Sequence, residues 1–120
     1  MPSLDDITVI DMAGEMAFSS EKRIRRDLID SPTIMAQMVC FEAGQEGILH
    51  AHADRDEIFL GLDGQGSLVL ERDGARSVLD VAQGQMVHVP AGTAHMARAD
   101  KGQRFAILFT KAGGDSLPPP

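Results

Sequence analysis

The spacing of histidines and glycines restricts what this chain can fold into more than any other feature. Three of its four histidines lie in two spaced motifs. The first runs Gly44, five residues, His50-Ala51-His52, four residues, Glu57, six residues, Gly64. The second runs Gly84, five residues, Pro90-Ala91-Gly92, two residues, His95. In an extended segment, residues two apart share a face, with Cα atoms about 7 Å apart. His50 and His52 can therefore turn toward one point. The polar stretch Ala53-Asp54-Arg55-Asp56 suits a turn that brings Glu57 back at the start of the strand Glu57-Ile58-Phe59-Leu60. His95 comes from far along the chain, so only tertiary closure can complete the group. Together the two motifs describe one metal site.

Both motifs resemble the two halves of the cupin signature, and the similarity runs from about Pro32 to Phe109. That resemblance implies an all-β fold, a single antiparallel β-barrel of the jelly-roll-like double-stranded β-helix type. It also implies one divalent metal ion per chain, held by His50, His52, Glu57 and His95. Three imidazoles and one carboxylate suit Fe, Mn or Ni, and are compatible with Zn, Co or Cu. On an octahedral ion four such ligands leave two cis positions open. One position departs from the family pattern. Ala99 stands where an Asn commonly ends the second motif, but that Asn is not a ligand.

A chain of 120 residues suits one domain with a modest core. The expected organisation is an N-terminal extension over 1–31 that packs on the barrel or on a partner, a barrel with the site over 32–111, and a flexible tail over 112–120. The net charge of −7 and the lack of a long basic run exclude nucleic acid as a partner. The densest basic cluster, Arg23, Arg25 and Arg26, is flanked by Glu21 and Asp27 and reads as a solvated or interface edge. The single cysteine, Cys40, allows no intramolecular disulfide and reads as a small buried apolar residue. No apolar run approaches a membrane span, and Asp5 and Asp6 sit where a basic leader region would lie. A cytoplasmic protein is expected, and a homodimer, because barrel edges need cover.

Strands are expected over 7–10, 22–29, 33–41, 58–62, 67–71, 76–81, 85–89, 94–98 and 104–110, with 12–20 left as loop or one helical turn. Asp63-Gly64-Gln65-Gly66 reads as a turn, and Asp73-Gly74 as the clearest hairpin signal. Alternation then suggests the lining of a substrate pocket. Phe59 should face inward with Glu57, and Ala97 with His95. On the last strand Phe105, Ile107 and Phe109 share one face, which in similar cupins looks into the barrel. Gln37 is the one strongly polar residue in its strand; facing inward, it would orient substrate. His88 is read as a structural histidine outside the ligand set.

Tyr and Trp are absent, so no phenol is available as acid or base. The pocket reads as mainly apolar, with chemistry left to the metal. The first functional expectation is a metal-dependent oxygenase acting on a small, partly apolar organic substrate. The second is a non-oxidative lyase, isomerase or cyclase, in which Glu57 leaves the metal to move a proton and so acts as the catalytic group. The third is a ligand-binding or sensing barrel without turnover.

Overall fold

The computed structural model describes residues 4–113. It contains seven strands: β1 Ile24–Asp30, β2 Ile34–Phe41, β3 Glu57–Arg72, β4 Ala75–Ala82, β5 Met86–Val89, β6 Ala94–Arg98 and β7 Phe105–Ala112. Every strand pair is antiparallel. The hydrogen-bonded path runs β1-β2-β7-β3-β4, with β5 and β6 also paired to β3. The path does not close on itself, so β1 and β4 are edges among the described residues.

The long strand β3 organises everything else. Its first half pairs with β5 and β7, and its second half with β4 and β6. The Asp63–Gly66 turn expected from sequence is therefore absent: it is a corner inside one strand. The reason lies in two glycines and a bulge. Leu62 is skipped in the β3–β7 register, which bends the strand locally. Gly64 has φ +67, a conformation that favours glycine. A Cβ on Gly66 would collide with the Phe105 ring and the Arg98 carbonyl. The Asp73-Gly74 hairpin is present as expected, with both residues at positive φ between β3 and β4.

Strands β2 and β7 are buried on both faces, which explains their near-continuous apolar sequence. Val39, Phe41, Phe59, Leu68, Val81, Val89, Ala97, Ala99, Phe105, Ile107 and Phe109 fill the interior. Phe41 stacks on Phe105, with ring centroids 6.3 Å apart. Burying each such side chain contributes about 1.5–3 kcal/mol. The opposite face of the same strands carries Met38, Cys40 and Ala106. Met12, Met16, Phe18, Ile24, Leu28 and Leu62 cover it. Cys40 is fully buried, and burial pushes its thiol pKa up.

The strand expected over 7–10 does not form. A 3₁₀ turn, Leu4–Asp6, precedes irregular backbone, and a short helix, Met12–Glu15, follows. Ile7 is 65% exposed and Val9 94%, so this segment has no apolar surface of its own chain beneath it. No described helix is long and apolar enough to cross a membrane. Of the tail over 112–120, Ala112 closes β7 and Gly113 follows it; the rest lies outside the described residues.

Candidate metal centre

His50 and His95 are placed by backbone before any side chain matters. They form an isolated antiparallel bridge. The His50 N–H donates to the His95 carbonyl at 3.1 Å, and the His95 N–H donates to the His50 carbonyl at 2.8 Å. Residues opposed in this way lie about 5.5 Å apart at Cα. The stretch before β3 is not a regular strand, yet it runs beside β6 and its flanks through single bonds. The Gly47 N–H donates to the Ala97 carbonyl at 2.8 Å, and the Gly92 N–H to the His52 carbonyl at 2.8 Å. These glycines thus serve as donors that pin the histidine segment. Asp56 fixes the approach to β3. It accepts from the Ala91 N–H at 2.9 Å and pairs with His88 Nε2 at 2.7 Å. His88 therefore faces outward and lies outside the ligand cluster.

The donor atoms of His50, His52, Glu57 and His95 all lie within 4.8 Å of one another. His52, Glu57 and His95 are buried, and His50 is half-buried. Glu57 Oε1 is 2.8 Å from His52 Nε2 and 3.2 Å from His95 Nε2. The Nδ1 of His50 lies 2.8 Å from the Ile48 carbonyl, and that of His95 lies 3.1 Å from the Thr93 carbonyl. Each ring then carries its proton on Nδ1 and turns a bare Nε2 inward, the orientation a metal-binding imidazole needs. His50 Nε2, His95 Nε2 and both Glu57 carboxylate oxygens are buried without a hydrogen-bond partner. Unpartnered buried polar atoms are costly. A divalent cation would satisfy all of them at once, so the residues fit one ion.

The electrostatics agree. Burial, with Lys111 nearby, pushes the His52 pKa down to about 4. Burial also lowers that of His50. Both are neutral near pH 7, the state that ligates. Burial works to raise the Glu57 carboxyl. The His95 ring, with Nε2 3.2 Å from Oε1, and the nearby Lys111 ammonium outweigh it and hold Glu57 below the ordinary carboxylate range.

Lys111 is the residue that sequence reasoning missed. Its Nζ lies 3.3 Å from His52 Nε2 and 3.6 Å from Glu57 Oε1, with the side chain 1% exposed. It pairs with Glu57 across β3 and β7. The signal was available: Phe105, Ile107, Phe109 and Lys111 follow one alternation, and the expected strand stopped one residue short.

The residues expected to line a pocket divide by distance from the cluster. Phe59 sits against it, with its ring centroid 5.1 Å from that of His95 and 4.7 Å from that of Phe109. Ala97 is buried two residues beyond His95 on β6. Gln37 faces inward opposite Phe109. Its Nε2 donates to Asp27 Oδ1 at 2.9 Å, while its buried Oε1 has no partner. Ile107 lies further along β7. Phe105 lies at the far end beside Phe41 and Gly64, about 20 Å along the strand from Lys111 by strand rise. An open cleft of about 530 Å³ is lined by Leu70, Val87, Val89 and Thr93, among others. Val89 is the cross-strand partner of Glu57, and Leu70 that of His95, so two of the lining residues pair with cluster residues, although no cluster residue lines the cleft itself. Arg72 Nε donates to Thr93 Oγ1 at 3.0 Å at its rim.

The Cupin domain family matches residues 37–111. No curated protein matches the chain by sequence. Solved structures share the fold. The protein TT1209 from Thermus thermophilus superposes with a TM-score of 0.79 at 19% identity, covering 89% of this chain and 98% of its own. An RmlC-like cupin protein from Desulfovibrio desulfuricans gives 0.77 at 22%, covering 88% and 96%. A Klebsiella pneumoniae protein with a double-stranded β-helix domain gives 0.80 at 15%, covering 93% and 95%.

Proposed function

The chain belongs to the Cupin domain family, and from that premise we propose that it is a metal-dependent enzyme acting on a small organic molecule. The observation that carries this reading is the set of buried, unpartnered nitrogen and oxygen atoms of His50, Glu57 and His95, with His52 beside them. These four side chains would hold one ion, with Fe, Mn or Ni preferred by the donor set. A bound redox-active ion supplies electron transfer between substrate and dioxygen, which makes oxygenase chemistry the leading form of this reading.

The chain's own residues supply the rest. Phe59 and Phe109 give an apolar wall beside the cluster that favours a partly apolar substrate. Gln37 offers an unpartnered carbonyl oxygen on the same sheet face, to accept from a substrate donor. Ala97 leaves room near His95, while Ile107 and Phe105 close the interior behind the wall. A cytoplasmic homodimer is part of the same proposal.

Lys111 favours a second form of the reading. An ammonium 3.6 Å from Glu57 Oε1 gives the site a proton donor beside a carboxylate, as an isomerase or lyase needs. Glu57 would then act as the base and Lys111 would steady the developing anion. The experiment that tests the proposal is elemental analysis of untagged protein, followed by a substrate screen under air and under nitrogen. One metal per chain and turnover that consumes oxygen support the oxygenase. Equal turnover under nitrogen supports the second form. Protein that takes up no metal overturns both.

A further inference from the structure

Lys111 is buried where a lysine is rarely found. The residue is 5% exposed, its inward neighbour on β7 is Phe109, and the Phe59 ring packs on Phe109. Among the described residues Glu57 is the one carboxylate within 4.0 Å of Nζ. Arg55 and Arg25 add positive charge from the surrounding elements. A buried ammonium needs a counter-charge, and removing it is strongly destabilising. Glu57 cannot serve Lys111 and a dication fully at once. The three imidazoles contribute no negative charge, so the loaded site is strongly positive. A dication drawing on Glu57 leaves Nζ short of a counter-charge, which an anionic ligand would supply.

We propose that Lys111 is a substrate-binding residue whose Nζ holds an anionic oxygen, a carboxylate or enolate, of a substrate with an apolar body. The geometry divides the ligand in two. The anion sits at Nζ, beside Glu57 and His52. The body lies along Phe59 and Phe109, the next inward positions of β3 and β7. Lysine suits this role because its compact ammonium on a flexible stem can turn from Glu57 to an incoming oxygen. The inference rests on the metal reading of the cluster and adds the chemical class of the substrate.

The test uses the full chain loaded with Co²⁺, with benzoate as the anionic probe and benzamide as its neutral counterpart. Both are titrated by calorimetry into the parent, Lys111→Met and Lys111→Arg, with metal content and melting temperature measured on each preparation. Lys111→Met should weaken benzoate binding at least tenfold, and Lys111→Arg should restore part of it. Benzamide binding should change less than twofold, and Co²⁺ should remain at one ion per chain. Benzoate affinity equal in the parent and in Lys111→Met overturns the proposal, as does an absence of benzoate binding to the parent. Loss of Co²⁺ from Lys111→Met also overturns it, by making the lysine a support of the metal. If the parent takes up no Co²⁺, the metal reading fails by itself. The benzoate titration of metal-free protein then decides: dependence on Lys111 sustains the anion site, and independence overturns it. If Lys111→Met does not fold, the parent and Lys111→Arg carry the comparison. Arginine that keeps the preference for benzoate over benzamide sustains the proposal, and loss of that preference overturns it.

Discussion

At the scale of single residues, the cluster of His50, His52, Glu57 and His95 was legible in the sequence because its two motifs resemble a known signature and spacing turns His50 and His52 to one face. His50 and His52 share a face by parity, and the glycines that frame them mark where backbone donors meet carbonyls across the loop. Lys111 was hidden by an end effect, since the strand was expected to stop at 110. Gln37 was ambiguous because β2 is buried on both faces, so a polar side chain gives no sign of which face it takes. The residues make two predictions. His52→Ala should keep a folded barrel by circular dichroism. It should weaken metal affinity by more than the roughly 10–100-fold lost when only a hydrogen-bond partner of a ligand is removed, as read by competition with a chelator. The metal-free protein should also lose stability as pH falls from 6.5 to 4. The unfolded chain protonates His52 near 6.5, while the folded protein resists until about 4, so the unfolded state binds more protons across that window. Glu57, held below the ordinary carboxylate range, adds a loss at the acid end. Thermal melts across this range should show the decline, and His52→Gln should flatten it.

At the scale of elements, the order of strands followed from alternation and turn chemistry, but two elements did not. Asp63-Gly64-Gln65-Gly66 has a turn's composition and is instead the corner of β3, because its glycines are spent on close approach to Phe105 and the 98 and 104 carbonyls. Local composition cannot separate the two uses; only the partner strands do. The 7–10 segment has a strand's composition but no neighbour to pair with. The corner can be tested. Gly66→Ala puts a methyl group into the Phe105 ring and should cost about 1–3 kcal/mol, as overpacking does. Phe105→Ala should cost about 3–5 kcal/mol. Urea titration reads both. Neither should alter metal content, because Phe105 lies at the end of the barrel away from Glu57.

At the scale of the whole molecule, two unpartnered features point outward. Leu4, Ile7 and Val9 are exposed near the N-terminus, and Val78 and Leu79 are exposed on the edge strand β4. Light scattering should give twice the 12.9 kDa chain mass; a monomer at micromolar concentration would refute the dimer. Deleting residues 1–20 should do more than remove an interface. It strips Met12, Met16 and Phe18 from Met38, Cys40 and Ala106, so aggregation is expected. The pairing of β3 with four other strands also sets an order in time. Glu57 meets Lys111, and His50 meets His95, only after distant parts of the chain have docked. Folds dominated by such non-local pairs form in milliseconds to seconds, and their late contacts govern escape rather than arrival. With and without Zn²⁺, stopped-flow urea jumps should therefore give the same folding limb and a slower unfolding limb. The ion would act as a lock on a finished barrel, not as the mould in which it is cast.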